Sequence, residues 1–117
     1  MLLKWKIFSV DLNPVIGSEQ KGIRPVLIIS DEDYSSVMPL ATVLPLTSFK
    51  QGRNIYPNEV LIIKKNNLKA GLSYDSIVLA HQIRTISKKR FLAVIGIIED
   101  KEIQEKINQA LRIHLNL

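Results

Sequence analysis

Only one long segment of this chain carries a helical period, and it comes last. In "EDKEIQEKINQALRIHLNL", Ile103, Ile107, Ala110, Leu111 and His114 recur at helical spacing and form one apolar stripe. Asp100 is placed to cap that helix, and Glu102 lies in its first turn, where a negative charge is favourable. Glu102 and Lys106 are spaced for an i,i+4 pair. His114 falls within the stripe and reads as a packed, hydrogen-bonded core histidine. Everything before residue 99 is cut into short apolar runs by proline, glycine and polar loops. A chain of that pattern is limited to a small curled sheet closed by one helix.

The runs read as strands. "WKIFSVDL" alternates, with Ile7, Ser9 and Asp11 opposite Phe8, Val10 and Leu12. "RPVLIIS" is continuously apolar and short, the mark of a buried strand, with Pro25 at its start because proline lacks a ladder donor. "PLATVLPLTS" is a third strand, interrupted by Pro45. "EVLII", "SIVLAHQIRTI" and "LAVIGII" are read as one strand each. The polar loops "NPVIGSEQKGI", "SFKQGRNIYPN" and "KKNNLKAGLSYD" separate them, and "SKKRF" is a single helical turn. In "SDEDY", Ser30 is read as an N-cap with Asp33 three residues on. The expected fold is mainly β (α+β), a small β-barrel with a C-terminal α-helix, forming one domain over 1–117.

Composition narrows the chemistry. Apolar residues make up 46% of 117, enough for one core, and there is no cysteine. Disulfides and thiolate metal sites are excluded, and a reducing cytoplasm is the expected location. "MLLKWKIF" has no long apolar stretch, so no signal peptide is expected, and no run approaches a membrane span. The net charge is +5, and it is unevenly placed: residues 61–98 hold seven Lys/Arg against Asp75 alone. Such a surface attracts polyanions, either nucleic acid or an acidic protein segment.

Few residues are left to do chemistry. The two histidines, His81 and His114, match no metal spacing and nothing in the sequence joins them. There is no GxSxG elbow and no phosphate-binding loop ending in Lys-Ser. The acids Asp31–Asp33 are explained by capping. No metal or cofactor is expected. Arg24 stands out. Pro25 pushes it towards extended geometry, and the buried strand behind fixes it further. A planar five-donor fork held that way suits a phosphate. Gly17 and Gly22 allow the preceding loop to approach a ligand. The alternative is a strand-end brace, with Arg24 paired to Glu19 or Asp11.

"VDLNPVIGSEQKGIRPVLIIS", then "PLTS", "SIVLAHQIRTI" and "ALRIHL", resemble the MazF/PemK family of toxins from about Val10 to Leu115. The resemblance implies an SH3-like barrel with a C-terminal helix, a homodimer, and metal-independent, sequence-selective cleavage of single-stranded messenger RNA. It also implies neutralisation by an acidic antitoxin, and products with a 2′,3′-cyclic phosphate and a 5′-hydroxyl. It makes Arg24 and Thr47 the catalytic pair. It places Ser18, Glu19, Gln20, Ser48, Phe49 and Gln82 along the RNA. Two departures stand out: Trp5 and Lys6 occupy positions where many relatives carry glycine and an acid, and His81 stands where an acid often precedes "QIRT".

The resemblance leaves the proton acceptor open between Glu19, His81 and a water. Phe49, Lys50, Arg53 and Tyr56 offer a basic and aromatic loop for reading bases, or the two aromatics plug the core beneath it. The rival readings are a gyrase poison on the same barrel and a non-catalytic RNA-binding barrel.

Overall fold

The computed structural model describes residues 2–117. The strands are β1 (Lys6–Asp11), β2 (Ile23–Ile28), β3 (Leu40–Ser48), β4 (Glu59–Ile62), β5 (Ser76–Leu79), β6 (Arg84–Ser87) and β7 (Phe91–Ile97). The helices are α1 (Glu32–Val37) and α2 (Lys101–Leu115). All strands pair antiparallel, in the order β4-β5-β3-β2-β1-β7, with β6 on β3. The sheet curls into an open barrel.

The continuous apolar run of β2 has a simple cause: both its faces are buried. Leu27 joins Ile7, Leu44, Leu46, Val60, Ile62, Val78, Ile98 and Ile107 in one cluster. Val26 and Ile28 join Phe8, Val10, Leu12, Ala41, Val43 and Ile86 in the other. Alternate residues of β1, β2 and β3 therefore feed two layers, as the period of a strand requires. Helix α2 covers the first layer through buried Ile107 and Ala110, with Ile103 and Leu111 at its margin. Asp100 caps it by accepting from the Glu102 N–H, as the sequence indicates.

Four expectations are corrected. First, Pro45 does not interrupt β3. It pairs with Val26 as the last β2–β3 contact, while on its other edge β3 pairs with β5 from Leu46 onward. Proline has no N–H to continue a ladder, so it suits the point where β2 and β3 part.

Second, "SIVLAHQIRTI" is two strands. Leu46 faces Val78 and Val43 faces Arg84, so three residues along β3 correspond to six along its partner. The surplus is looped out as a 3-10 turn, Ala80–Gln82.

Third, the cap of α1 is Asp31, whose carboxylate accepts from the Asp33 N–H. Ser30 instead turns inward, its hydroxyl accepting the Thr42 N–H and meeting the buried Ser35 hydroxyl. Glu32 accepts from the backbone N–H groups of Leu3 and Lys4, which lower its pKa.

Fourth, His114 is exposed rather than packed, although helical spacing keeps it on the face of α2 that carries Ile107 and Ala110.

Trp5 belongs to the core: its side chain packs against the first cluster, and its backbone bridges Ile28 O and Ile98 N–H. Its φ of 73° lies in the left-handed region. That is glycine-favoured geometry, in keeping with the glycine that the resemblance implies for this position in many relatives. Here the packing of the indole holds a conformation that the backbone alone disfavours.

Candidate active site

Where β2 and β3 part beyond Pro45, a cleft of about 320 Å³ opens. Arg24, Pro25 and Ile23 line it from β2, and Leu46, Thr47 and Ser48 from β3. Gly71 to Tyr74 and Ser76 close the far wall, with Ile95 of β7. The register that pairs Val26 with Pro45, continued two residues, sets Arg24 opposite Thr47.

Arg24 is half-buried and makes no ion pair among the described residues. The brace to Glu19 or Asp11 is therefore not formed. Its Nε donates to the carbonyl of Lys21 at 3.1 Å, which orients the guanidinium and leaves its terminal nitrogens unpaired in the structure. An oriented cation without a carboxylate, in a cleft that a threonine also lines, has the chemistry to receive an anion.

Of the other predicted residues, one lines the cleft and the rest lie elsewhere. Ser48 lines the cleft. Gln20 and Gln82 meet each other: the Gln20 N–H donates to Gln82 Oε1 at 3.3 Å. The side-chain carbonyl of Gln20 is buried without a hydrogen-bond partner, an arrangement that calls for a water or a ligand donor. Ser18 and Glu19 stand exposed on the loop, and Glu19 accepts the Ile16 N–H at 2.6 Å. Phe49 is half-buried just beyond β3, its N–H donating to Asp75 O at 2.8 Å, and it does not line the cleft.

Arg53 is not a free base-reading cation. It makes a forked pair with Glu59, with both N–O distances 2.9 Å. The Glu59 side chain is only 2% exposed and also meets His81 Nε2 at 2.9 Å and the Tyr56 N–H at 3.1 Å. The Arg53 guanidinium is the main cause that lowers the Glu59 pKa to about 2, aided by His81 and the Tyr56 N–H. This network pins the 49–58 loop to β4. Tyr56 stays exposed on that loop, and so does Lys50. The rings of His81 and His114, unconnected in sequence, lie 6.4 Å apart.

Two cleft residues escape sequence reasoning. Tyr74 and Ile23 are 68% and 67% exposed at its rim. Tyr74 sits in a segment that reads only as turn, and nothing local tells which loop side chains converge on Arg24. No cluster of three or more His, Cys, Asp or Glu side chains that could hold a metal occurs among the described residues. Nor is any helix there long and apolar enough to cross a membrane.

A curled antiparallel sheet with a C-terminal helix, opened at one strand junction by a cleft that an unpaired arginine and a threonine line, defines a small open barrel. Residues 3–115 match the family of PemK-like, MazF-like toxins of type II toxin–antitoxin systems, and the chain belongs to that family. It is 39% identical over 111 residues to Endoribonuclease EndoA of Bacillus subtilis (strain 168), covering 95% of this chain and 91% of that one. Among solved structures it is similar to MazF (Form-I) from Deinococcus radiodurans, with a TM-score of 0.77 and 25% identity. That match covers 97% of this chain and 96% of that one. A mycobacterial endoribonuclease in complex with its cognate antitoxin superposes with a TM-score of 0.76, at 24% identity, over 100% of this chain and 97% of that one.

Proposed function

We propose that this chain is a toxin endoribonuclease that cuts single-stranded messenger RNA at a short sequence motif, working as a single domain over 1–117 without a metal. The observation that carries the reading is the placement of Arg24 and Thr47 at matching register on one cleft, with Arg24 free of any carboxylate. The family membership and the endoribonuclease relative support it.

RNA brings its own nucleophile, the 2′-hydroxyl next to the scissile phosphate. The protein must hold that phosphate, stabilise the charge that builds on its oxygens, and deliver a proton to the leaving 5′-oxygen. Arg24 supplies forked, charge-assisted donors to the phosphate. Thr47 adds a hydroxyl donor. Arginine stays protonated at neutral pH, so Arg24 stabilises charge and donates rather than removing a proton. Neither Glu19 nor His81 lines the cleft, and each already has a hydrogen-bond partner. A water in the cleft is the acceptor this placement leaves, and the proton it takes from the 2′-hydroxyl balances the one that the leaving 5′-oxygen receives, so that Arg24 ends the step protonated. The products are a 2′,3′-cyclic phosphate and a 5′-hydroxyl.

Base selection falls to the rim. Tyr74 offers an exposed ring for stacking, with Phe49, Ser18, Gln20 and Gln82 extending the track. The basic middle third suits an acidic antitoxin that covers the same groove in the cytoplasm. The outward apolar side chains of edge strand β7, Leu92 and Val94, suit self-association as a homodimer.

The test is direct. Purified protein is incubated with a long single-stranded RNA in EDTA, and new 5′ ends are mapped. Discrete cuts at one short motif are expected. RNA that is bound yet uncut would identify a non-catalytic RNA-binding barrel. Intact RNA with inhibited supercoiling would identify a gyrase poison.

A further inference from the structure

The loop that leads into Arg24 is held at its root by two arginines that the catalytic reading does not use. Arg84, on β6, donates from Nη1 to the carbonyl of Leu12 at 3.2 Å. Arg90, from the 3-10 turn Lys88–Arg90, donates from Nη1 to the carbonyl of Asp11 at 3.1 Å, and also to that of Asn13. Three consecutive carbonyls are thus gripped by two guanidinium groups. Neither arginine has a carboxylate partner among the described residues.

The grip passes to the other end of the loop. Asn13 Oδ1 accepts the Gly22 N–H at 3.1 Å, and the Leu12 N–H donates to Gly22 O at 2.9 Å. Lys21, one residue earlier, carries the carbonyl that orients Arg24 through Nε. A continuous series of hydrogen bonds therefore runs from Arg84 and Arg90, through Asp11–Asn13 and Gly22, to the acceptor that aims the Arg24 fork. Hydrogen bonds from charged donors are the stronger sort. Between these ends only the Ile16–Glu19 turn is closed by the loop's own hydrogen bonds, and the positive-φ glycines Gly17 and Gly22 add backbone freedom.

We propose that Arg84 and Arg90 are positioning residues for the phosphate site: they fix the root of the 12–22 loop and thereby the direction of Arg24. The inference rests on the nuclease reading for its kinetic consequence, and on geometry alone for the loop. The competing role for two unpaired cations is direct contact with RNA phosphates elsewhere on the strand, and that role predicts different kinetics.

The experiment uses the double variant Arg84→Met, Arg90→Met, and each single variant in case the double fails to fold. Two quantities are read below the melting transition. The first is amide exchange over residues 12–22, expected to speed up in the variants while exchange in β3 and β5 stays as in the wild type. The second is cleavage of a short RNA carrying the mapped motif. A fall in kcat of about 10- to 100-fold, with KM within about threefold, is the expected result, because a misaimed group costs rate more than binding. A raised KM with unchanged kcat and unchanged exchange would make the two arginines phosphate contacts and overturn the proposal. Wild-type kcat, KM and exchange in the double variant would overturn it as well. Should the wild type not cut RNA at all, the nuclease reading fails, whereas the loop clamp is still decided by exchange.

Discussion

The register of Val26 with Pro45, carried two residues further, sets Arg24 against Thr47, and both residues line the cleft that opens there. The relationship follows from strand geometry. Pro45 ends the β2–β3 ladder because it has no N–H, and the strands part beyond it. The two residues that would have been ladder neighbours line the cleft instead.

Tyr74 is 68% exposed at the rim, so its loss should act on RNA far more than on the fold. Tyr74→Ala is expected to weaken binding of a non-cleavable single-stranded analogue by about 10-fold or more, since stacking of one base contributes roughly 1–3 kcal/mol. Tyr74→Phe should bind nearly as the wild type does. Fluorescence anisotropy measures both, and a melting curve should show no change in stability. An Ala variant that binds normally would remove Tyr74 from the RNA track.

Glu59 predicts an acid-sensitive stability. Its folded pKa, about 2, lies below the ordinary 4.5 because Arg53, His81 and the Tyr56 N–H hold the charged form. A lowered carboxylate pKa stabilises the fold above the unfolded value, and that contribution fades as pH falls from about 4.5 towards 2. Urea unfolding at pH 7, 4.5 and 3 should show a drop between the last two. Glu59→Gln should lose about 2–3 kcal/mol at pH 7, the scale of charged hydrogen bonds left half-made, and should flatten that acid slope. An unchanged slope in the variant would assign the acid sensitivity to other groups.

Gly96 predicts a steric limit. A Cβ there would stand 2.3 Å from Ala70 O and 2.4 Å from Lys69 O, both backbone atoms. Gly96→Ala is expected to destabilise the protein by about 1–3 kcal/mol in denaturant titration, through forced movement of the 68–70 turn against β7. Wild-type stability would mean that this close approach is not enforced.

The parts of the fold legible in sequence are those set by local period. The terminal helix, with its Asp100 cap, and the doubly buried run after Pro25 follow from spacing and turn chemistry. The break at Ala80–Gln82 does not, because it arises from pairing with two different stretches of β3, a non-local demand. His114 misleads for a related reason: helical spacing puts it on the buried stripe, but every residue of the chain from Arg112 on is exposed. At the site, Arg24 is legible because proline restricts it, and Thr47 through the family resemblance. Tyr74, Ile23, Arg84 and Arg90 are not, since only the folded loops bring them to the cleft or to the loop root. Arg53 reads as a free cation only until its partner six residues away, Glu59, is seen to be buried.

If an oriented guanidinium and one hydroxyl act on a single phosphodiester, removing either must slow the chemical step itself. The decisive measurement is single-turnover cleavage of a motif-bearing RNA in EDTA by wild type, Arg24→Ala and Thr47→Ala. Cutting by the wild type, none detectable with Arg24→Ala, and a rate at least about 100-fold lower with Thr47→Ala are expected, all three with intact folds. Wild-type rates from either variant would refute the assignment.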